Sequence, residues 1–299
     1  MKKLLVLGVV LAFLGYYKWS SLAEMNAKAP EVEARSAVLM DAATGRIYYE
    51  ANANASMPPA SMSKMMTELV VLDELAGGQH KWEEKVRLSR YAAEVTGSKI
   101  GLKAGDALSV RDLFDAMVVH SANDAAIALA EHFAGTEAKF ADRMNAKAKA
   151  IGLSSGTRFV NATGLMRRDL PDQAKVLTGE TQMTAKDTAK LAAYLIRTYP
   201  EILKVTRINE LELSQMNIRL HTTNLMLEGE KYAFSGNDGL KTGYTEEAGY
   251  CFTATSEKNG RRLISVVMGT TSPDARFTES EKLLHYGFSR KDGKQGLAE

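Results

Sequence analysis

Residues 239–269 read GLKTGYTEEAGYCFTATSEKNGRRLISVVMG. Three runs within this stretch, 239–244, 250–255 and 262–269, have the apolar and β-branched character of strands. The last two runs are separated by the turn-forming residues KNG at 258–260, which are typical of a tight hairpin. We therefore predict three consecutive strands in this part of the chain.

A second β-rich segment lies near the other end of the chain. Residues 34–40 (ARSAVLM), the turn 41–45 (DAATG) and residues 46–50 (RIYYE) together predict a hairpin. Beyond the third late strand, the pattern predicts a final amphipathic helix over about residues 274–286.

The region between these two segments is mostly helical by pattern. Pro58 and Pro59 end the hairpin segment and favour a helix start near Ala60. Apolar side chains then recur at helical spacing, at Met62, Met65, Met66, Leu69, Val70 and Leu72. Two pairs have the spacing of helix caps, Ser109 with Asp112 and Thr184 with Asp187. Helices are predicted over residues 113–119, 125–133 and 140–151, and from the second cap to about residue 198.

The order of these elements predicts the fold class. Two strands, many helices, three strands and one helix favour an α+β fold with two lobes. One lobe is an antiparallel five-stranded sheet flanked by helices, and the other is all-helical. We assign this domain to residues 34–288, a linker to 24–33 and a polar tail to 289–299.

The first 23 residues have the pattern of an export signal. Lys2 and Lys3 precede the apolar run 4–17, and the small residues SLA at 21–23 offer a cleavage site. The run is shorter than the roughly 20 apolar residues of a typical spanning helix. Residues 1–23 are therefore expected to be a cleaved signal peptide or a retained membrane anchor, and the protein is expected to be exported.

Composition argues against several kinds of function. A formal net charge of +2 over 299 residues gives no broad basic surface, so nucleic-acid binding is not expected. The single cysteine, Cys251, cannot form an internal disulfide, and its apolar surroundings favour a buried structural role over a nucleophilic one. The five histidines show no His-x-x-x-His pair and no Cys/His cluster, so we expect neither a zinc site nor another metal cofactor.

Three short motifs carry the candidate chemistry, and they occur in the order Ser61-Met62-Ser63-Lys64, Ser121-Ala122-Asn123 and Lys241-Thr242-Gly243. The predicted elements place them at a helix start, in an interhelical loop and on an inner strand, where the two lobes should meet. Ser-x-x-Lys and Ser-x-Asn are common by chance, but the ordered set is not. Together they supply the groups for acyl transfer through a serine ester without a histidine.

The first motif supplies a nucleophile and a base. Ser61 and Lys64 share a helix face, so their side chains can come within hydrogen-bond reach. Lys64 can remove the serine proton only when its amine is neutral, which requires burial or a nearby cation to lower its pKa. Lys241 could be that cation.

The other two motifs have structural as well as functional interpretations. Ser121 and Asn123 could cap the following helix, or they could supply a proton-shuttling hydroxyl and an amide that holds substrate. Lys241 and Gly243 would point to one side of a strand and Thr242 to the other, and the glycine would let a bound backbone approach. The structural alternative for this third motif is an exposed strand end.

The residues around the motifs resemble one enzyme family. Three stretches carry most of the resemblance: 59–67 (PASMSKMMT), 121–125 (SANDA) and 238–251 (DGLKTGYTEEAGYC). They look like the D-alanyl-D-alanine carboxypeptidases, the low-molecular-mass penicillin-binding proteins. Residues 159–165 (FVNATGL) and 281–288 (EKLLHYGF) also match. The resemblance covers about residues 34–288 and implies a fold like that of DD-peptidases and β-lactamases.

This resemblance implies removal of the terminal D-alanine from peptidoglycan stem pentapeptides through an acyl-enzyme on Ser61. Lys64 would be the base, and Asn123 would orient the substrate. Ser121 and Lys241 would pass a proton to the leaving D-alanine. The implied partners are stem peptides ending in D-Ala-D-Ala, and β-lactams as covalent inhibitors of the serine, with no cofactor.

The resemblance also implies binding roles. The backbone N–H groups of Ser61 and Tyr244 would form the oxyanion hole. Thr242 and Arg276 would hold the terminal carboxylate, beside Gly243. Such an enzyme is expected at the outer face of the cytoplasmic membrane, in the periplasm or in the cell wall.

Two features depart from the family pattern. Many relatives continue into a C-terminal β-domain and an amphipathic anchor, whereas only residues 289–299 follow here. We therefore expect any membrane contact to come from the N-terminal segment. Some relatives carry an arginine before the asparagine that corresponds to Asn224, where this chain has Thr223, so a ligand contact is expected to differ.

Three other functions fit parts of the pattern. A class A-like β-lactamase shares the motifs, but its Glu-x-x-Leu-Asn loop does not occur between Asn123 and Lys241. A DD-endopeptidase that cleaves peptidoglycan crosslinks is hardly distinguished by sequence. A non-catalytic wall-binding or β-lactam-sensing module would be favoured if Ser61, Lys64 or Lys241 were replaced, and all three are present.

Overall fold

The computed structural model describes residues 28–290. The expected signal or anchor at 1–23 and residues 291–299 of the expected polar tail lie outside these described residues. Among the helices of the described part, none combines the length and the apolar character needed to cross a membrane.

The strands of residues 28–290 form one large sheet and two small two-stranded sheets. In chain order they are β1 (Ser36–Asp41), β2 (Ile47–Ala51), β3 (Lys85–Arg87), β4 (Ala107–Ser109), β5 (Glu210–Leu213), β6 (Ile218–His221), β7 (Asn237–Thr245), β8 (Gly249–Lys258) and β9 (Arg261–Thr270). The large sheet has five strands in the order β2-β1-β9-β8-β7, and every neighbouring pair is antiparallel. This confirms the predicted five-stranded antiparallel sheet.

The helices of the described residues lie mainly between β2 and β5. They are α1 (Lys64–Ala76), α2 (Arg90–Glu94), α3 (Val110–His120), α4 (Asn123–Ala134), α5 (Glu137–Ala150), α6 (Ala185–Thr198), α7 (Ile202–Thr206) and α8 (Ala275–Ser289). Both predicted caps are confirmed, since Ser109 and Thr184 each accept a backbone N–H through the side-chain oxygen. The donors are Asp112 at 3.0 Å and Asp187 at 3.0 Å.

The sheet joins the two ends of the domain and is covered on both faces. β1 pairs along β9, so the first strand lies between β2 and a strand formed more than 200 residues later. Because alternate strand residues face opposite sides, Leu39 packs with α8 residues such as Phe277 and Leu284. Val38 instead packs with the core of the helical lobe. The domain thus has two apolar layers, one on each face of the sheet.

Several local features differ from the sequence-based expectations. The first middle helix does not begin at Ala60: residues Ala60–Ser63 form a 3-10 turn, and the α-helix begins at Lys64. The two-stranded sheets β3–β4 and β5–β6 were not predicted. Strands of three or four residues are too short to show a recognisable alternation of apolar and polar residues.

Cys251 occupies the structural role that its surroundings predicted. It is 0% exposed on β8, and burial raises the pKa of its thiol to about 11. A thiol that stays protonated in the interior is a poor nucleophile, so Cys251 belongs to the core.

Candidate active site

Ser61 and Lys64 are in direct contact at the junction of the 3-10 turn and α1. The Lys64 Nζ atom lies 2.8 Å from the Ser61 Oγ atom, as the one-turn spacing predicted. Lys64 is 0% exposed, whereas Ser61 is only partly buried. The pair therefore joins a buried amine to a hydroxyl that a ligand can reach.

Two further partners orient the Lys64 amine. Nζ lies 2.6 Å from the Asn123 Oδ1 atom and 2.9 Å from the backbone oxygen of Thr163. The Asn123 amide is itself held, because its Nδ2 group donates to the Thr96 backbone oxygen at 2.7 Å. Both partners of Nζ can only accept hydrogen bonds. A neutral amine would use its two N–H groups on them, leaving its lone pair for the Ser61 hydroxyl.

The matching segment 159–165 supplies one of these partners. Asn161 folds the segment by accepting backbone N–H groups through Oδ1, from Thr163 at 3.1 Å and from Gly164 at 2.7 Å. The buried Glu137 carboxylate accepts the Ala162 N–H at 2.9 Å and a hydrogen bond from the Tyr91 hydroxyl. The segment thus presents the Thr163 carbonyl to the lysine, a role that sequence reasoning did not assign.

The environment of Lys64 favours the neutral amine. Burial, and then the positive charge of Lys241, hold the pKa of Lys64 well below 10.5. The negative charges of Glu68 and Glu137 oppose this shift. The expectation that Lys241 would act on Lys64 as a neighbouring cation is consistent with this arrangement.

Glu68 was not among the predicted site residues. It follows Lys64 by one helical turn on α1 and is 1% exposed, and its Oε1 atom makes no hydrogen bond within residues 28–290. Burial raises the pKa of Glu68, while the charges of Lys241 and Lys64 oppose that rise. Burial also lowers the pKa of Lys241, against the charge of Glu68. The i,i+4 spacing from Lys64 was the signal that could have revealed this residue.

Ser121 lies at the junction of α3 and α4. It has a left-handed backbone with φ of 65° and is 5% exposed. The capping interpretation of this motif is wrong, because Ala122 occupies the cap position of α4 without a side-chain hydrogen bond. The Ser121 hydroxyl makes no hydrogen bond to any of the residues 28–290, so it is available to a ligand.

The Lys-Thr-Gly motif lies on β7, which corrects the expectation of an inner strand. β7 is an edge strand, because β8 covers one side and the 3-10 turn with Ser61 faces the other. A Cβ atom at Gly243 would lie 2.8 Å from the Pro59 oxygen and 3.1 Å from the Ser61 nitrogen. Glycine is therefore required for β7 to approach the nucleophile this closely.

The neighbours of Gly243 have contrasting exposures. Thr242 is 4% exposed, and its Oγ1 atom lies 2.6 Å from that of Thr223. Tyr244 is 52% exposed and stacks on Tyr250 with ring centroids 4.3 Å apart. The threonine that replaces an arginine of some relatives therefore contacts a predicted binding residue directly.

Arg276 on α8 reaches the same region of the molecule. Its charge contributes to lowering the pKa of Lys241, which places the two cations near one another. Its guanidinium carbon lies 5.7 Å from the Tyr250 ring centroid, and its Nε atom is buried without a partner in the described part of the chain. Arg276 thus retains a free donor for a ligand.

An open cleft of about 710 Å³ adjoins this group of residues. Tyr244 and Thr96 line it on the side of the motifs, and Leu165 and Leu170 line it opposite. Thr96 also accepts a hydrogen bond from the Asn123 amide, and Asn123 contacts Lys64, so the cleft borders the residues of the three motifs.

Comparison with known proteins agrees with this geometry. The chain is 37% identical over 261 residues to the D-alanyl-D-alanine carboxypeptidase DacF of Bacillus subtilis, covering 86% of this chain and 63% of DacF. It is 38% identical over 275 residues to DacC of Escherichia coli, covering 89% of this chain and 64% of DacC. The ampicillin-bound crystal structure of penicillin-binding protein D2 from Listeria monocytogenes superposes with a TM-score of 0.76 at 37% identity, covering 87% of this chain and 100% of that one.

The chain spans slightly less than two thirds of the length of these two curated relatives. A model of the D-alanyl-D-alanine carboxypeptidase family matches residues 23–272, which include all three motifs. The chain belongs to the D-alanyl-D-alanine carboxypeptidase family.

Proposed function

We propose that the protein is a serine-type D-alanyl-D-alanine carboxypeptidase that removes the terminal D-alanine from peptidoglycan stem pentapeptides. One observation supports this most strongly. The buried Lys64 amine lies 2.8 Å from the Ser61 hydroxyl, and its other two partners are acceptors. A neutral lysine in this geometry can take the serine proton as the hydroxyl attacks.

The acylation step begins at Ser61. Its Oγ atom attacks the carbonyl carbon between the two terminal D-alanines, and its proton moves to Lys64 Nζ. The carbonyl oxygen becomes an oxyanion, which the N–H groups of Ser61 and Tyr244 would stabilise. Ser61 stands at the start of a helical turn, where N–H groups lack intrahelical partners, and β7 is an edge strand.

Collapse of this intermediate breaks the C–N bond. The proton held by Lys64 passes through Ser121, beside Lys241, to the leaving D-alanine amine, so Lys64 is neutral again and an ester on Ser61 remains. Water then attacks the ester while the neutral Lys64 accepts its proton, and Lys64 passes that proton to the Ser61 oxygen as the ester bond breaks. The shortened peptide, which now ends in the remaining D-alanine with a free carboxylate, leaves the site, and the Ser61 hydroxyl is restored.

Recognition of the substrate would come from polar groups on three elements. The Thr242 hydroxyl and the Arg276 guanidinium would bind the terminal carboxylate, and Asn123 would hold the peptide backbone. A β-lactam presents a strained amide together with a carboxylate. The same groups would therefore direct it onto Ser61 as a covalent inhibitor.

The test is product analysis with purified protein lacking residues 1–23. The wild-type chain should release D-alanine from a stem pentapeptide, and Ser61→Ala should lower this rate by about 10³-fold or more. Ser63→Ala is a matched control, because the Ser63 hydroxyl lies in the same motif and has no partner within residues 28–290. Ser63→Ala should keep most of the activity and still bind fluorescent penicillin covalently.

Other products would point to other functions. Cleavage of crosslinked muropeptides without release of D-alanine would identify an endopeptidase. Rapid turnover of penicillin would identify a β-lactamase. Full activity of the Ser61→Ala protein would refute the serine mechanism.

We also propose that residues 1–23 direct export and that residues 34–288 form the catalytic domain. Peptidoglycan lies outside the cytoplasmic membrane, so this activity requires an exported enzyme. Cell fractionation should find the full chain outside the cytoplasm and the chain lacking residues 1–23 inside it. A chain trimmed to residues 34–288 should keep D-alanine release. Equal distribution of both chains would contradict the export role.

A further inference from the structure

A group of metal-ligating side chains lies away from the acyl-transfer residues. From histidine spacing we expected no zinc site, yet the tertiary structure brings His80, Glu84 and His132 together. His132 stands in the last turn of α4, whereas Asn123 begins that helix. The two ends are separated by roughly 13 Å along the helix axis. The group is therefore separate from the site around Ser61.

Both imidazoles face the same carboxylate oxygen. The His80 Nδ1 atom lies 3.1 Å from Glu84 Oε2, and the His132 Nε2 atom lies 3.0 Å from it. All three candidate ligand atoms lie within 4.8 Å of one another. In tetrahedral zinc sites with bonds of about 2.0–2.1 Å, ligand atoms are roughly 3.4 Å apart. The two nitrogen–oxygen distances are already near this spacing. A modest rotation of one imidazole would bring the distance between the two nitrogens near it as well.

The surrounding structure holds these side chains in position. The other carboxylate oxygen of Glu84 accepts the Lys81 N–H at 2.7 Å, and the Glu84 backbone oxygen accepts the Val110 N–H at 2.9 Å. The Phe133 ring packs edge-on against both imidazoles, at 4.9 Å from His80 and 5.0 Å from His132. These contacts therefore hold the candidate ligands, which lie in the loop before β3 and at the end of α4, in fixed positions.

The group is open to solvent on one side. The side chains of His80, Glu84 and His132 are 28%, 32% and 21% exposed. An ion can therefore reach the site and keep at least one water ligand. This exposure distinguishes the group from a buried structural cluster that no ion could enter.

We propose that His80, Glu84 and His132 bind one divalent transition-metal ion of the zinc class, with water in the remaining position. Two imidazole nitrogens and one carboxylate oxygen are a ligand set that zinc uses widely. On binding, each neutral imidazole carries its proton on the ring nitrogen that faces away from the ion. The ion then links the loop before β3 to α4 and stabilises the folded state without entering the acyl-transfer reaction.

The direct test uses the full chain stripped of metal with a chelator and then titrated with Zn²⁺. We expect calorimetry to show one ion bound per chain. At a free Zn²⁺ concentration 100-fold above Kd, the unfolding temperature should rise by about 5 °C. D-Alanine release should be the same with and without the ion. Absence of saturable binding, or of the thermal shift, would overturn the proposal.

Variants locate the ion. His132→Ala should weaken Zn²⁺ binding at least tenfold, and Glu84→Gln should do the same while keeping the shape of the side chain. His285→Ala is the matched control, because His285 lies 3.4 Å from Glu281 on α8 as an exposed pair with no third ligand among residues 28–290. If the alanine variant fails to fold, Glu84→Gln and the Co²⁺ absorption spectrum of the wild-type chain decide the question. Unchanged binding in Glu84→Gln, or an octahedral all-water Co²⁺ spectrum, would refute the site.

Discussion

The segment that presents the Thr163 carbonyl to Lys64 depends on a glycine. Gly164 has φ of +79°, and a Cβ atom there would overlap the Ala60 carbonyl oxygen and lie 2.7 Å from the Ala60 carbonyl carbon. Gly164→Ala therefore forces a side chain into the backbone of the turn that carries the nucleophile. Gly152 has a similar φ of +73°, but a Cβ atom there would meet nothing within 4 Å.

These two glycines separate backbone strain from steric overlap. An alanine in the left-handed region costs about 1–2 kcal/mol, which both variants should show. Overpacking against fixed neighbours adds about 1–3 kcal/mol, which only Gly164→Ala should show. We therefore expect free energies of unfolding lowered by about 1–2 kcal/mol for Gly152→Ala and by about 2–5 kcal/mol for Gly164→Ala.

Urea denaturation followed by circular dichroism measures both free energies of unfolding. The difference should also appear as an unfolding temperature roughly 2–6 °C lower for Gly164→Ala than for Gly152→Ala. Penicillin acylation should slow only in Gly164→Ala, because its strain displaces the Ala60–Ser63 turn. Equal destabilisation by the two substitutions, with normal acylation in both, would refute the close packing of this segment against the nucleophile.

Three further predictions concern the charges of the site. D-Alanine release should increase as pH rises through the pKa of Lys64, and this limb should lie well below pH 10.5, because burial and the charge of Lys241 lower that pKa. Lys64→Arg should lower acylation at least about 10²-fold at every pH, because a guanidinium does not deprotonate; a normal rate would exclude Lys64 as the base. Glu68→Gln removes a negative charge that raises the pKa of both Lys64 and Lys241, so the pH profile of kcat/KM should move to lower pH. An unmoved profile would show that Glu68 does not act on these lysines. Arg276→Ala should lower kcat/KM about 10–100-fold for a peptide with a free terminal carboxylate and little for its carboxamide, whereas equal losses would contradict carboxylate binding.

Much of the fold could be predicted from local pattern. The hairpin near the start, the late strands and the final helix could be predicted, because side chains on one face repeat every two residues in a strand and about every 3.6 residues in a helix. The two caps could be predicted from their residue types and spacing. The two small two-stranded sheets were not predicted, because their strands are too short to show a periodic pattern of apolar residues. The sequence predicted one antiparallel sheet from the two ends of the domain, but not the strand order β2-β1-β9-β8-β7, since pairing between distant strands leaves no mark in either one.

The candidate site divides in the same way. The sequence by itself determined the contact between the proposed nucleophile and the proposed base, because Ser61 and Lys64 share one helical turn and their contact follows from helix geometry. It also determined the order of the motifs, and hence the family.

Only the tertiary structure decided which groups surround that lysine. The Thr163 carbonyl, the buried Glu68 and the edge position of β7 depend on the packing of elements distant in sequence. The His80, Glu84 and His132 group follows the same logic, since two ligands come from the loop before β3 and the third comes from α4. Desolvation, close approach and the meeting of distant side chains are properties of packing, so local spacing could not reveal them.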